Sequence, residues 1–204
     1  DGLQSIFGDK VKKVSYRYWN KNSPLFESDL PRETRVLLDR YLDSDEPSEG
    51  HNIGIIDIEV SSVGGYPVIM EGDKEIYSIA IFSSKTQQYM VFLLDKNNRY
   101  TDRNLTADTS VIRFDTEAEM LTMFLAWYNE QHFTILTGWN STNFDMPYLY
   151  RRICNVLSKE DGDMLSPIGI VKPGYPEDRG RYKIAGVSQL DYLEMYKKFT
   201  YIQQ

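Results

Sequence analysis

Ile53-Gly54-Ile55-Ile56-Asp57-Ile58-Glu59-Val60 is the stretch on which the fold turns. It is β-branched and apolar apart from two acids, the composition of a buried central strand. Side chains two apart on a strand point to the same face, so Asp57 and Glu59 project together. Two carboxylates buried side by side repel and are poorly solvated, and they need compensating positive charge. No basic residue lies within the strand, which makes a divalent metal the natural partner. Hard oxygen ligands select Mg²⁺ or Mn²⁺. An Asp-x-Glu triplet alone is a weak signal, since about one arises by chance in a few hundred residues. Its placement inside an apolar strand gives it weight. The structural alternative is an edge strand with solvated acids.

Working outward, Glu75–Phe82 and Gln88–Leu94 read as two further strands joined by a polar turn, completing an antiparallel meander. Asp95–Arg113 reads as polar and mostly irregular. Thr116-Glu117-Ala118-Glu119 matches a capping box, and the helix after it buries Met120, Leu121, Phe124, Leu125 and Tyr128. Phe133–Thr137 is a short strand. Asp145 is placed to cap the next helix, with Pro147 in the first turn and Leu149, Ile153 and Val156 at helical spacing. Ile168–Lys172 and Arg181–Ala185 flank a Pro- and Gly-rich tip, the pattern of a projecting hairpin. Val187–Leu190 reads as a strand leading into a helix at Tyr192–Phe199.

Upstream, Val11–Trp19 alternates as a strand does, and Pro31–Leu42 reads as a helix with apolar Val36, Leu37, Tyr41 and Leu42. Asp43–Gly50 is acidic with Pro and Gly, a solvated linker. Residues 1–50 therefore form a lead-in with nothing catalytic. The order of elements after it predicts an α/β sheet with flanking helices, as in the ribonuclease-H-like fold.

Composition narrows the function. Of 204 residues, 41% are hydrophobic and 26% charged, ordinary for a folded soluble chain, and 15 Tyr argue against disorder. Cys154 is the only cysteine, which excludes an intrachain disulfide and a multi-thiolate zinc site and fits a reducing, cytoplasmic setting. No apolar run has the length of a membrane span. The net charge of −7 argues against tight autonomous DNA binding, although an acidic metal site engages phosphate through its metals.

Asp145 follows a strand that ends near Gly138-Trp139-Asn140. Singly, Asp145 could be a cap, Asn140 a turn residue and Phe144 core. Together with Asp57 and Glu59 they outline a metal-site hypothesis. Asp57-Ile58-Glu59 resembles the first exonuclease motif of family B DNA polymerases, and Asn140-Ser141-Thr142-Asn143-Phe144-Asp145 resembles the second. Leu136–Arg152 and Leu190–Phe199 resemble the branch from T-even-type tailed phages.

The resemblance implies a proofreading 3′→5′ exonuclease that uses two divalent metal ions to hydrolyse the terminal phosphodiester and release a nucleoside monophosphate. It implies that Asp57 bridges both metals, that Glu59 holds the metal carrying the attacking water, and that Asp145 acts at the leaving-group metal. Asn140 and Phe144 would position the frayed 3′ end, an aromatic being able to stack on any base. The 168–185 hairpin would help part primer from template, with Tyr175 or Arg179 at its tip touching DNA; a bare surface hairpin is the alternative. Implied partners are DNA with a single-stranded 3′ end or frayed primer terminus, the remainder of the polymerase and, as a candidate, the sliding clamp. The implied location is the host-cell cytoplasm if the gene is phage-borne.

The family's third motif, a Tyr and a later Asp, has no counterpart before Gln204, and Asp191 reads as a structural helix start rather than a substitute. The expectation is a partial exonuclease domain over 51–204, inactive or very weak alone. A free-standing exonuclease would need its fourth carboxylate within these residues. A non-catalytic DNA-docking or structural module of the same fold is the remaining alternative.

Overall fold

A computed structural model of the protein describes residues 3–4, 10–11, 32–101, 103–174 and 180–200. The chain divides into two units, Asp1–Glu49 and Gly50–Gln204. In the first, Leu3–Gln4 (β1) pairs antiparallel with Lys10–Val11 (β2). Arg32–Tyr41 forms the expected helix (α1), steadied by an Arg35–Asp39 pair at 2.8 Å one turn apart. Its apolar Val36, Leu37 and Tyr41, and Leu42 just beyond, are exposed. The strand expected over Val11–Trp19 lies, beyond Val11, outside the described residues.

The second unit is built on Ile53–Val60 (β3). Ile56 and Ile58 are 2% and 5% exposed, whereas Asp57 and Glu59, alternating with them, are exposed. The strand is central, but only one of its faces is covered, so the two acids are not the buried pair that the composition suggests. Ile76–Ser83 (β4) runs antiparallel to β3 and sets Ala80 opposite Asp57 and Ser78 opposite Glu59. Gln88–Leu94 (β5) completes the meander.

Residues 95–113 depart from the irregular stretch expected there. Arg103–Thr106 (β6) and Thr109–Phe114 (β7) are strands, β7 parallel to β5 and β6 antiparallel to β7. Thr109, Val111 and Ile112 supply β-branched side chains that outweigh the polar surroundings. Asp95, 1% exposed, anchors the crossover by accepting the Tyr100 N–H at 2.8 Å, with Arg113 Nε at 3.6 Å. Burial disfavours its charge, yet the N–H groups of Tyr100 and Arg99 outweigh that and hold its carboxyl below the usual range.

Glu117–Gln131 (α2) and Asp145–Val156 (α3) carry Met120, Leu121, Phe124, Leu149 and Ile153 into the core around Phe92. The Thr116 hydroxyl accepts from Glu119 N as a cap should, but the Glu119 carboxylate takes the Thr116 hydroxyl proton rather than a backbone N–H. Glu117 is buried, accepts the Ile76 N–H at 2.8 Å and meets Arg152 through two bonds of 2.9 and 2.7 Å, tying β4, α2 and α3 together. Ile135–Gly138 (β8) lies parallel to β3, and a short helix, Lys159–Asp163 (α4), follows α3. Val171–Pro173 (β9) and Tyr182–Ile184 (β10) form the base of the expected hairpin. Ser188–Asp191 (β11) lies parallel to β8 and leads into Tyr192–Thr200 (α5).

Among the described residues the main sheet has the order β11-β8-β3-β4-β5-β7-β6. This mixed sheet with flanking helices is a ribonuclease-H-like arrangement. Gly138 ends β8 where a Cβ would lie 2.5 Å from the Ile56 carbonyl oxygen. Backbone cannot yield as a side-chain tip can, so Gly138→Ala should lower stability by about 1–3 kcal/mol, read as a fall in the thermal midpoint.

Candidate active site

The three parallel strands β3, β8 and β11 end on one side of the sheet. Register places Ile55 beside Thr137 and Gly138 beside Asp191. Past Gly138, β3 continues without β8 as its neighbour. Open α/β sheets bind ligands in such a crevice, outside the carboxyl ends of parallel strands. Into this region project Asp57 and Glu59 from β3, the 139–144 turn after β8, Asp145 from α3 and Asp191 from β11.

Asp57 and Glu59 stand on the open face of β3. Among the described residues neither forms an ion pair with Lys or Arg. Beside them on β4 are Ala80 and Ser78, whose small side chains leave space over the acids.

Asp145 does not cap α3. Phe144 holds the cap position without a side-chain bond, and the Met146 N–H is met by the Ser141 carbonyl at 2.9 Å. Asp145 Oδ1 instead accepts the Ile58 N–H at 3.0 Å. That donor points from β3 toward the side on which β8 has stopped, so the carboxylate closes the ladder where the neighbouring strand runs out. Asp145 is 3% exposed. Burial pushes its carboxyl up to about 6, and the negative charges of Asp57 and Asp191 push in the same direction.

The structure therefore brings Asp145 into the electrostatic field of Asp57 and bonds it to the residue between Asp57 and Glu59. It does not gather all three acids at metal-binding spacing: among the described residues no group of three or more His, Cys, Asp or Glu is close enough to hold an ion. The donor chemistry fits Mg²⁺ or Mn²⁺ all the same, being all carboxylate oxygen with two acids unpaired by cations.

Phe144 is half-buried and stacks on Tyr148 at 5.9 Å between ring centres, so one of its faces is committed to the core. Asn140 is half-buried in the left-handed conformation at φ 60°. Tyr175 and Arg179 lie outside the described residues.

Sequence reasoning set Asp191 aside as a helix start; it does more. Its carboxylate accepts Asn140 N at 3.0 Å, Thr142 N at 3.1 Å, the Thr142 hydroxyl at 2.7 Å and Leu193 N at 2.9 Å. Burial opposes its charge, but the Thr142 hydroxyl and these N–H groups hold its pKa below the ordinary value. All its acceptor capacity is spent on protein, which makes it the clamp of the 140–142 turn and a poor metal ligand. The only sequence signal for this is an Asp two residues ahead of a helical N–H.

Fold and site define the class: a ribonuclease-H-like α/β domain with acids at the carboxyl end of its central strand. Residues 5–204 match the family described as DNA polymerase family B, exonuclease domain, and the chain belongs to that family. The match extends into the lead-in. The DNA-directed DNA polymerase of Escherichia phage RB69 is 28% identical over 173 residues, covering 72% of this chain and 19% of that protein. The DNA-directed DNA polymerase of Enterobacteria phage T4 is 31% identical over 170 residues, covering 71% of this chain and 19% of that one. The chain thus spans about a fifth of the length of these relatives. The solved family B DNA polymerase of the hyperthermophilic archaeon Pyrobaculum calidifontis shares the fold over 76% of this chain and 17% of its own, with TM-score 0.54 and 18% identity. Among the described residues no helix is long and apolar enough to cross a membrane.

The raised Asp145 pKa carries a sign. Its ionised form is disfavoured by folding, so the cost is absent below the unfolded value of 3.8 and fully present above about 6. Two units correspond to about 3 kcal/mol. Asp145→Asn keeps the acceptor for Ile58 and removes the charge. In EDTA at pH 7 it should raise the thermal midpoint, and the gain should disappear as the pH falls toward 4.

Proposed function

We propose that this chain is the part of a DNA-directed DNA polymerase that carries the proofreading 3′→5′ exonuclease. The reaction is hydrolysis of the 3′-terminal phosphodiester of DNA, releasing nucleoside monophosphates from a single-stranded 3′ end or frayed primer terminus. The observation that carries this reading is the placement of Asp57 and Glu59 together on the open face of β3, with Asp145 bonded to the Ile58 N–H between them.

Asp57, Glu59 and Asp145 would hold two divalent ions, whose chemistry is to activate a water and to stabilise the leaving 3′ oxygen. Asp57, whose charge acts on the buried Asp145, would serve both ions. Glu59, further along the open face, would hold the ion that carries the attacking water and help orient that water. The small Ser78 and Ala80 would leave room for the terminal nucleotide, and Phe144 would meet its base by stacking. Asn140, fixed by its backbone, presents a side-chain amide to the end of the strand. A cation held by Asp145 would offset the repulsion that burial and Asp57 impose on its charge. The rest of the polymerase is the physical partner, the sliding clamp is a candidate one, and the host cytoplasm is the setting.

The test is digestion of a 5′-labelled single-stranded oligonucleotide with Mn²⁺. The 204-residue chain should shorten it weakly. A chain continued through the family's third motif should shorten it stepwise from the 3′ end. Asp57→Ala should reduce either rate by at least about a hundredfold. No shortening by either folded protein would leave the non-catalytic DNA-docking module as the better reading.

A further inference from the structure

The geometry points to Arg181 as a positioning residue that sets which way the amide of Asn140 faces. This rests on the reading that Asn140 meets the 3′ end of a DNA strand. Arg181 stands immediately before β10, at the root of the hairpin. Its Nε donates to Asn143 Oδ1 at 2.8 Å. Asn143 Nδ2 donates to Asn140 Oδ1 at 3.0 Å. Arg181 Nη2 donates to Glu194 on α5 at 2.5 Å, which anchors the guanidinium beside its bond to Asn143.

A guanidinium has no acceptor, so the order of atoms along this chain has one solution. The Asn143 oxygen must face Arg181. Its NH₂ group must then face Asn140, and the Asn140 oxygen must face Asn143. The Asn140 NH₂ is left pointing outward as a donor, and among the described residues no acceptor engages it.

The backbone of Asn140 is held independently. Its N–H goes to Asp191 at 3.0 Å, and its carbonyl accepts from Asn143 N and Phe144 N, both at 3.1 Å. The residue cannot swing away, so only the direction of its amide remains to be chosen, and Arg181 chooses it. An outward NH₂ suits the oxygens of a sugar or phosphate at a strand end. An outward carbonyl would repel them. The hairpin root is thereby wired to the group that reads the terminus.

The test is fluorescence anisotropy with a 5′-fluorescein tetrathymidylate whose last linkage is a phosphorothioate, in Mn²⁺. Arg181→Met should weaken binding roughly fivefold to tenfold, the effect of one misdirected hydrogen bond to a charged group. Arg181→Lys, which still donates to Asn143, should stay within about twofold of wild type and covers the case in which the Met variant does not fold. Lys183→Met removes a neighbouring cation that lines the same cleft as Arg181 and Thr142; among the described residues Lys183 makes no hydrogen bond to Asn143, and the variant should weaken binding less than Arg181→Met. In an Asn140→Ala background Arg181→Met should add nothing, a non-additivity that simple charge loss would not produce. Equal losses for Arg181→Met and Lys183→Met, or additive losses with Asn140→Ala, would overturn the inference and leave the exonuclease reading standing. Absence of binding by the wild-type chain and by the chain continued through the third motif would overturn both.

Discussion

The period-two pleat of β3 is the constraint on which the rest depends. Ile56 and Ile58 have nowhere to go but the core beneath α2 and α3, and that choice sends Asp57 and Glu59 to the opposite face. A one-residue slip would bury both acids and expose both isoleucines, so the hydrophobic register and the chemical register are the same. The antiparallel β4 extends this logic by setting Ala80 and Ser78 beside the acids. A bulky side chain at either position would fill the space beside the acids.

The second organising feature is the end of β8. A strand that stopped at Gly138 would leave the Ile58 N–H of β3 without a partner, and a buried orphan donor is costly. Asp145 supplies the missing acceptor from the first residue of α3. One carboxylate thus completes the sheet, fixes the start of α3 and lies beside Asp57. The arrangement stores electrostatic free energy: a buried acid with a raised pKa next to another acid is a poor choice for stability alone. It is a sensible one where a cation is to be bound, because cation binding then relieves the repulsion. On the proposed two-ion reading, stability is traded for a prepared site.

Much of this was legible in the sequence, for identifiable reasons. The meander, α2, α3 and β11 are marked by β-branched runs, by Thr116 with Glu119 and by helical spacing, all local signals. Asp57 and Glu59 are visible because two acids interrupt an apolar strand. What could not be read were the long-range pairings. The β6–β7 hairpin is hidden in a polar segment whose order comes from pairing with β5 and from the buried Asp95. The exposure of the two acids is not legible because an apolar strand can be central and still have one open face. Asp145 reads as a cap because its bond to Ile58 crosses from helix to strand, and nothing in the local sequence distinguishes that from capping.

The segment from Arg181 to Glu194 shows how a site can be braced from outside. Asp191 holds the 140–142 turn by its backbone, and Arg181 holds the same turn by its side chains, with Glu194 steadying Arg181. The two grips are complementary. Asp191 accepts only, so it gathers N–H groups and fixes where Asn140 sits. Arg181 donates only, so it orders the amides and fixes what Asn140 offers. Neither residue need touch a substrate to matter, since an amide can be turned over at little steric cost while its donor and acceptor exchange places. Position and polarity are separate requirements of a recognising group, and this fold meets each with an ion of the appropriate sign.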